Sequence, residues 1–195
     1  MIIKEKNIKN SIVEKALELF IRYGINAVST EDISLHSGIS KRTLYTHFKS
    51  KALLIQDVIL YHTELIRSQS DRIHLAHTSA VEEFVALWNY ASGVVLASNP
   101  NFLRDLSRHY PVSWLVLTQF KSAYRKDFLV TNLQRGIAQQ VYLADIDVEV
   151  ISLLWLKVMG LNFEEIKSGS ELRTHFLRGL VTEKGTEIIN YQCYK

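Results

Sequence analysis

Lys41, Arg42, Thr43, Tyr45 and His47 stand within one seven-residue run, and each can hydrogen-bond to a phosphate oxygen or a base edge. Leu44 lies in the same run and Phe48 directly follows it, four residues on, so on a helix the two share a face and turn inward. The polar side chains are then left to face outward. Arg42 is the candidate for direct readout, because its planar fork matches the O6/N7 acceptors of guanine, a pairing that discriminates by about 1–3 kcal/mol. Lys41 is a second reader or a phosphate clamp. Tyr45 and His47 would donate to phosphate oxygens or pack on sugars and thymine methyls, and Thr43 could do either. Lys51 opens the next helical segment, where its ammonium and the free N–H groups of the helix terminus can both meet a phosphate.

Two short helices must position these groups. Ser29 precedes Asp32 by three residues, the spacing of a capping box in which side chain and backbone satisfy each other's orphan groups. Ile33 and Leu35 are the apolar residues of this first helix. Gly38 supplies the permissive backbone that ends it, and Ser40 caps the second helix. Helix, tight Gly turn and helix form a helix-turn-helix, whose second helix enters the DNA major groove. A basic cluster by itself is most often an ordinary solvated face, and Lys41, Arg42 and Lys49 could be read so. The charge distribution argues otherwise. Residues 1–51 hold nine Lys and Arg against five Asp and Glu, a net +4, whereas the other 144 residues hold 14 against 15. The whole excess of positive charge lies in the segment that would meet phosphates. Lys4, Lys6 and Lys9 could reach the DNA backbone or the adjacent minor groove, or form a solvated terminus.

The run from Ile12 to Leu54 resembles the DNA-binding domain of the TetR family of transcriptional regulators. The resemblance rests on Ala16, Leu19, Phe20 and Gly24, on Asp32–Ile33, and on Ser37-Gly38-Ile39-Ser40. Thr43-Leu44-Tyr45 with Phe48, and Lys51 with Leu53, complete it. The run departs from the family at Ser34-Leu35-His36-Ser37, where an Ala-rich stretch is commoner, and at Arg42, where Gly is common. The resemblance implies an all-α chain: a three-helix helix-turn-helix domain over 1–50, continuous with a helical ligand-binding and dimerisation domain over 51–195. It further implies a repressor that binds a two-fold-related operator as a homodimer and is released by a small molecule.

The rest of the sequence is consistent with helices throughout. Ile8, Ile12, Ala16, Leu19 and Phe20 give a first helix over about 4–23, and Leu54, Val58, Tyr61 and Leu65 a long one from Lys51 into the low seventies. Further helices are expected over 79–97, 101–110, 113–138, 147–162 and 170–191. The last two are the dimerisation candidates, since the family pairs its final helices across a two-fold axis. The alternative is that they complete the monomer core. Trp88, Phe102, His109, Tyr110, Trp114, Phe120, Tyr124 and Trp155 are the candidate lining of a ligand pocket, with core packing as the alternative for each. The lack of a clear buried charged motif points to a hydrophobic or amphipathic inducer.

Other chemistries find less support. His74 and His77 have ligand-like spacing, but no nearby acid or Cys completes a site, so neither a metal nor another cofactor is expected. No nucleophile–base motif, Gly-rich phosphate loop or paired-carboxylate pattern is evident, which leaves an enzyme without positive support. A DNA-binding architectural protein lacking sequence preference is the other alternative. The single Cys193 cannot form an intrachain disulfide, and the start, MIIKEKNIKNSIVEKA, is too charged for a signal-peptide core. The most apolar stretch, 150–163, is interrupted by Lys157 and too short to span a bilayer. A cytoplasmic protein is expected.

Overall fold

A computed structural model of the chain describes residues 2–97, 99–159 and 169–193, with side chains placed over 7–93, 99–124, 126–158 and 171–189. The described residues form α-helices: α1 (Ile2–Tyr23), α2 (Thr30–His36), α3 (Lys41–His47), α4 (Lys51–Ala76), α5 (Ala80–Ala97), α6 (Pro100–His109) and α7 (Pro111–Tyr124). A π-helical turn over Arg125–Val130 leads into α8 (Thr131–Ala138), followed by α9 (Val148–Met159), α10 (Gly169–Arg178) and α11 (Glu183–Cys193). The chain divides into two compact units: residues 1–66 with 97–120, and residues 67–96 with 121–195. This division by contacts falls at 66 rather than 50, and it gives α6 and most of α7 to the unit that carries the helix-turn-helix.

In the first unit, Ile12, Ala16 and Phe20 of α1, Ile33 of α2, Leu44 of α3, and Leu54, Ile55 and Val58 of α4 form one buried cluster. Phe102 and Leu106 of α6 and Leu117 of α7 join it. Ile33 is buried as its position suggests, but Leu35 is 77% exposed, because α2 turns one face only to the core. His62 of α4 meets Phe102 edge-on, with ring centroids 6.2 Å apart. Burial there disfavours the charged imidazolium and pushes His62 from its ordinary 6.5 down to about 4.

The second unit is organised around Tyr142. Its hydroxyl lies 3.1 Å from both the Ala80 carbonyl and Asn132 Oδ1. Asn132 Nδ2 donates onward to Ala80 O at 2.9 Å and to Glu83 Oε2 at 2.7 Å. The Tyr142 ring lies flush against Gly136, where a Cβ would collide with it. The expected unbroken helix over 113–138 instead contains the π-helical turn, a feature that often inserts where packing demands a shifted side-chain register.

The expected helix over 170–191 is likewise two helices. Between α10 and α11, Leu180 O accepts from Leu143 N at 2.8 Å and Thr182 N donates to Val141 O at 3.1 Å. The chain therefore makes an antiparallel bridge, Tyr142 to Val181, at the point where helical period alone would carry it through. Within this stretch Leu180 is buried, while Phe176 and Ile188 are half-buried. The C-terminal part of the 147–162 stretch lies outside the described residues.

Two outcomes are expected from this packing. Gly136→Ala should destabilise the fold by about 1–3 kcal/mol, read as a lower urea midpoint at unchanged slope, because the added methyl has no room beside Tyr142. For His62 the folded pKa lies below the unfolded one, so the unfolded chain binds more protons between pH 4 and 6.5. Its contribution to stability should be intact above pH 6.5 and be lost by about 1.4 kcal/mol per pH unit as pH falls through that window. In His62→Phe, urea titrations at stepped pH should show a correspondingly shallower dependence.

Candidate nucleic-acid interface

The α2–α3 pair is fixed by its caps. Ser29 N–H donates to Asp32 Oδ2 at 2.8 Å, and Asp32 N–H donates to Ser29 Oγ at 3.1 Å, so the capping box is closed. Hydrogen bonds from the Ser29 hydroxyl and then its N–H hold the Asp32 carboxyl below the ordinary range. Ser29 is therefore a structural cap, whatever else it touches. Gly38, at φ +66, makes the left-handed turn that closes α2, its N–H bonding Leu35 O at 3.1 Å. Ser40 Oγ accepts from Thr43 N–H at 3.0 Å and lies 2.9 Å from Thr43 Oγ1. The Thr43 hydroxyl is thus already engaged at the N-terminus of α3. Leu44 and Phe48 are buried, as their spacing required.

Lys41, Arg42 and Tyr45 are exposed on α3, and Thr43 and His47 are half-exposed. Lys41 Nζ pairs with Glu31 of α2. That hydrogen bond raises Lys41 above the ordinary lysine value and lowers Glu31 below the ordinary carboxylate value. The Tyr45 hydroxyl lies 3.3 Å from Thr30 Oγ1. Both contacts lock α3 against α2 and restrict how the two side chains can extend. Arg42 makes no ion pair among the described residues; its carbonyl accepts from the Thr46 hydroxyl at 3.0 Å. Of the N-terminal lysines, Lys9 pairs with Asp57 at 2.6 Å and lies over the Phe48 ring, so it braces the domain. The side chains of Lys4 and Lys6 lie outside the described ones.

Lys51 differs from the expectation. Its ammonium donates to Ile25 O at 2.7 Å and Val28 O at 2.6 Å, with the Phe20 ring 5.8 Å away. Half-burial there pushes its pKa down, and Asp105 and Asp32 partly oppose the shift. The α1–α2 loop leaves two carbonyls facing inward, and the stem of Lys51 reaches them more easily than solvent does. Lys51 thus holds the loop through two of its ammonium donors. Asp105 of α6, a residue without any motif to single it out, completes the arrangement by accepting from Asn26 N–H at 2.9 Å. Its partner is 79 positions away, and no local pattern marks such a contact. Glu31 was missed for a similar reason, since its i to i+10 pairing with Lys41 crosses a turn.

The eight candidate pocket residues do not form one set. Phe102, His109, Tyr110, Trp114 and Phe120 belong to the first unit, and Trp88, Tyr124 and Trp155 to the second. Phe102 is core, because α6 packs against α1, and Tyr110 and Trp114 pack against the same cluster. His109 is exposed. In the second unit, Tyr124 Oη lies 3.0 Å from Ser70 Oγ, and its ring is 6.4 Å from that of Trp155. Burial raises Tyr124 to about 12.

The same unit contains a buried charge cluster that the sequence did not reveal. The Glu83 carboxylate, 2% exposed, is bonded by Arg135 and Asn132 and lies 2.7 Å from His74 Nδ1. His74 is therefore a partner of Glu83. The four groups line a cavity of about 240 Å³ with Arg67, Asp71 and Asp127. They satisfy one another, as a buried carboxylate must be satisfied to be tolerated.

This geometry defines a helix-turn-helix DNA-binding protein. Residues 12–58 match the family described as bacterial regulatory proteins, tetR family. The HTH-type transcriptional repressor KstR2 of Mycolicibacterium smegmatis is 24% identical over 197 residues, which cover 91% of this chain and 92% of that protein. The HTH-type transcriptional regulator QacR of Staphylococcus aureus is 43% identical over 53 residues, 27% of this chain and 28% of that one. A TetR-family regulator from Agrobacterium tumefaciens shares the fold, with a TM-score of 0.75 and 19% identity over 91% of this chain and all of that one. Over residues 12–58 the chain is thus similar to the DNA-binding part of that family, and the relatives it resembles are named as transcriptional regulators.

Lys51→Met should lower the stability of the N-terminal unit by about 1–3 kcal/mol, the penalty for two inward carbonyls losing their donor. Urea unfolding followed by circular dichroism would reveal it, and an unchanged midpoint would deny Lys51 the bracing role.

Proposed function

We propose that the protein is a repressor that binds a two-fold-related operator as a homodimer, in the cytoplasm, and is released when a small molecule enters the helical part beyond residue 50. The observation that carries the reading is the disposition of α3. Its inner face is anchored by Leu44 and Phe48, and its outer face presents Arg42 without an ion-pair partner. On a helix inserted in the major groove, this guanidinium is the group free to read a guanine. Tyr45, His47, Thr43 and Lys41 set register on the backbone, and Ser29 and Ser40 hold the two helices in place. With Lys51 committed to the loop, the phosphate contact near the start of α4 passes to Lys49, which is exposed beside the α3 C-cap.

Dimerisation is supported by α9. Val150, Leu153 and Leu154 recur at helical spacing and are 56%, 50% and 47% exposed in the single chain. Such a stripe asks for a second apolar surface. One helix-turn-helix also offers too few base contacts for useful specificity, so a dimer is needed. The functional division we propose is a DNA-reading part over 1–50 and a sensing and pairing part over 51–195. Repression is carried over from the KstR2 relative, which is named a repressor. Release follows if a ligand displaces α6, since Asp105 would then draw the α1–α2 loop and alter the placement of α3.

Selection of bound fragments from genomic DNA by the purified protein should return a two-fold-related site. Failure to prefer any such duplex over random DNA at moderate salt would favour the architectural reading instead. On the selected operator, Arg42→Ala should relax preference at one position per half-site. Lys49→Gln should weaken all sequences alike and flatten the salt slope by about one charge per half-site, while Lys51→Gln leaves that slope unchanged. Equal loss of preference from Arg42→Ala and Lys49→Gln would refute the division of roles.

A further inference from the structure

Among the polar groups of the second unit that are buried without a hydrogen-bond partner are Trp88 Nε1 and Ser92 Oγ on α5 and Trp155 Nε1 on α9, besides Ser79 Oγ and Arg135 Nε. Trp88 is 1% exposed and Trp155 3%. An indole N–H can only donate, and buried indoles normally find an acceptor. Leaving such a donor unmet costs about 1–3 kcal/mol, and a Phe at either place would fill the volume without that penalty. Trp88 and Ser92 are four residues apart on one helix, so their unmet groups share a face. The surroundings are aromatic. Phe84 and Phe176 lie 6.2 and 5.5 Å from the Trp88 ring, centroid to centroid, and Tyr124 lies beside Trp155 with its hydroxyl directed to Ser70.

We propose that these donors are the polar anchors of the ligand site, and that its ligand is an apolar molecule bearing a neutral carbonyl oxygen. Donors without acceptors select a ligand that supplies acceptors and reject one that brings only N–H groups. No cation is bonded to any of the three among the described residues, so a carboxylate would be buried unpaired there, and a ketone or ester would not. The aromatic walls accommodate the hydrocarbon body. The Glu83 cavity is lined by charged side chains, Arg67, Asp71, Asp127 and Arg135 among them, and suits the hydrocarbon body of such a ligand poorly. The inference rests on the reading of the protein as a ligand-released regulator, and it names the chemistry of that ligand.

The test uses full-length protein carrying ¹⁵N-labelled indoles, with the Trp88, Trp114 and Trp155 resonances assigned by single Trp→Phe substitutions. The probes are cyclooctanone, cyclooctane and cyclooctylamine. Cyclooctanone should bind about tenfold tighter than cyclooctane and move the Trp88 or Trp155 N–H resonance downfield while leaving Trp114 in place. Cyclooctylamine should bind more weakly than either. The ketone's advantage should vanish in Trp88→Phe or, should that variant not fold, in Trp155→Phe or Ser92→Ala. Equal binding of ketone and hydrocarbon overturns the proposal, as does tight binding of the amine. So does absence of any response to the ketone up to its solubility, including indole resonances already held by ordered water that the ketone leaves unmoved. If these probes fail while another small molecule releases the operator, the regulator reading survives and this inference does not. A protein that prefers no duplex at all would instead refute the regulator reading.

Discussion

The placement of the DNA-reading helices depends on how one loop is held. Residues 24–28 join α1 to α2, with Gly24, Ile25 and Val28 buried and Asn26 and Ala27 exposed. Lys51 supplies donors to two of the carbonyls, and Asp105 supplies the acceptor for Asn26 N–H. Gly24 enters the loop at φ +87, with Asn101 and Asp105 so near that a side chain would crowd them. A cation from α4 and an anion from α6 thus grip the loop from opposite sides. Their charges also favour each other, which helps the half-buried ammonium keep its proton. α2 starts at the end of this loop, and α3 is locked to α2 by the Lys41–Glu31 pair. Small changes at the loop therefore reach the groove-facing side chains.

This arrangement explains why α6 counts with the N-terminal unit despite standing about 50 residues beyond α4's start. Asn99 N–H donates to Ile21 O at 2.7 Å, and Phe102 and Leu106 enter the same core as α1. α6 is thereby both a core element of the first unit and the carrier of the acceptor for the α1–α2 loop.

The second unit is held differently. Its polar centre is the Glu83 carboxylate, which Arg135, Asn132 and His74 meet, so that groups of α4, α5 and α8 converge on one charge. A buried carboxylate missing any of these partners would be strongly destabilising. Trp88 Nε1, Ser92 Oγ and Trp155 Nε1 of the same unit are buried without such partners.

Sequence alone determined what depends on near neighbours. Helical period located the helices; Ser29, Ser40 and Gly38 located the caps and turn; Leu44 and Phe48 fixed which face of α3 turns inward. These are interactions over a few residues, so the chain carries them in its local pattern, and they sufficed to identify the helix-turn-helix. Tertiary structure alone decided what long-range pairing controls. It gave Lys51 two loop carbonyls to hold, drew Phe102 into the core, and gave His74 to Glu83. It also broke the 170–191 run where Val181 bridges to Tyr142. Each outcome hangs on a partner across a turn or tens of residues away, and nothing in the period or capping of a single segment encodes where such a partner will be.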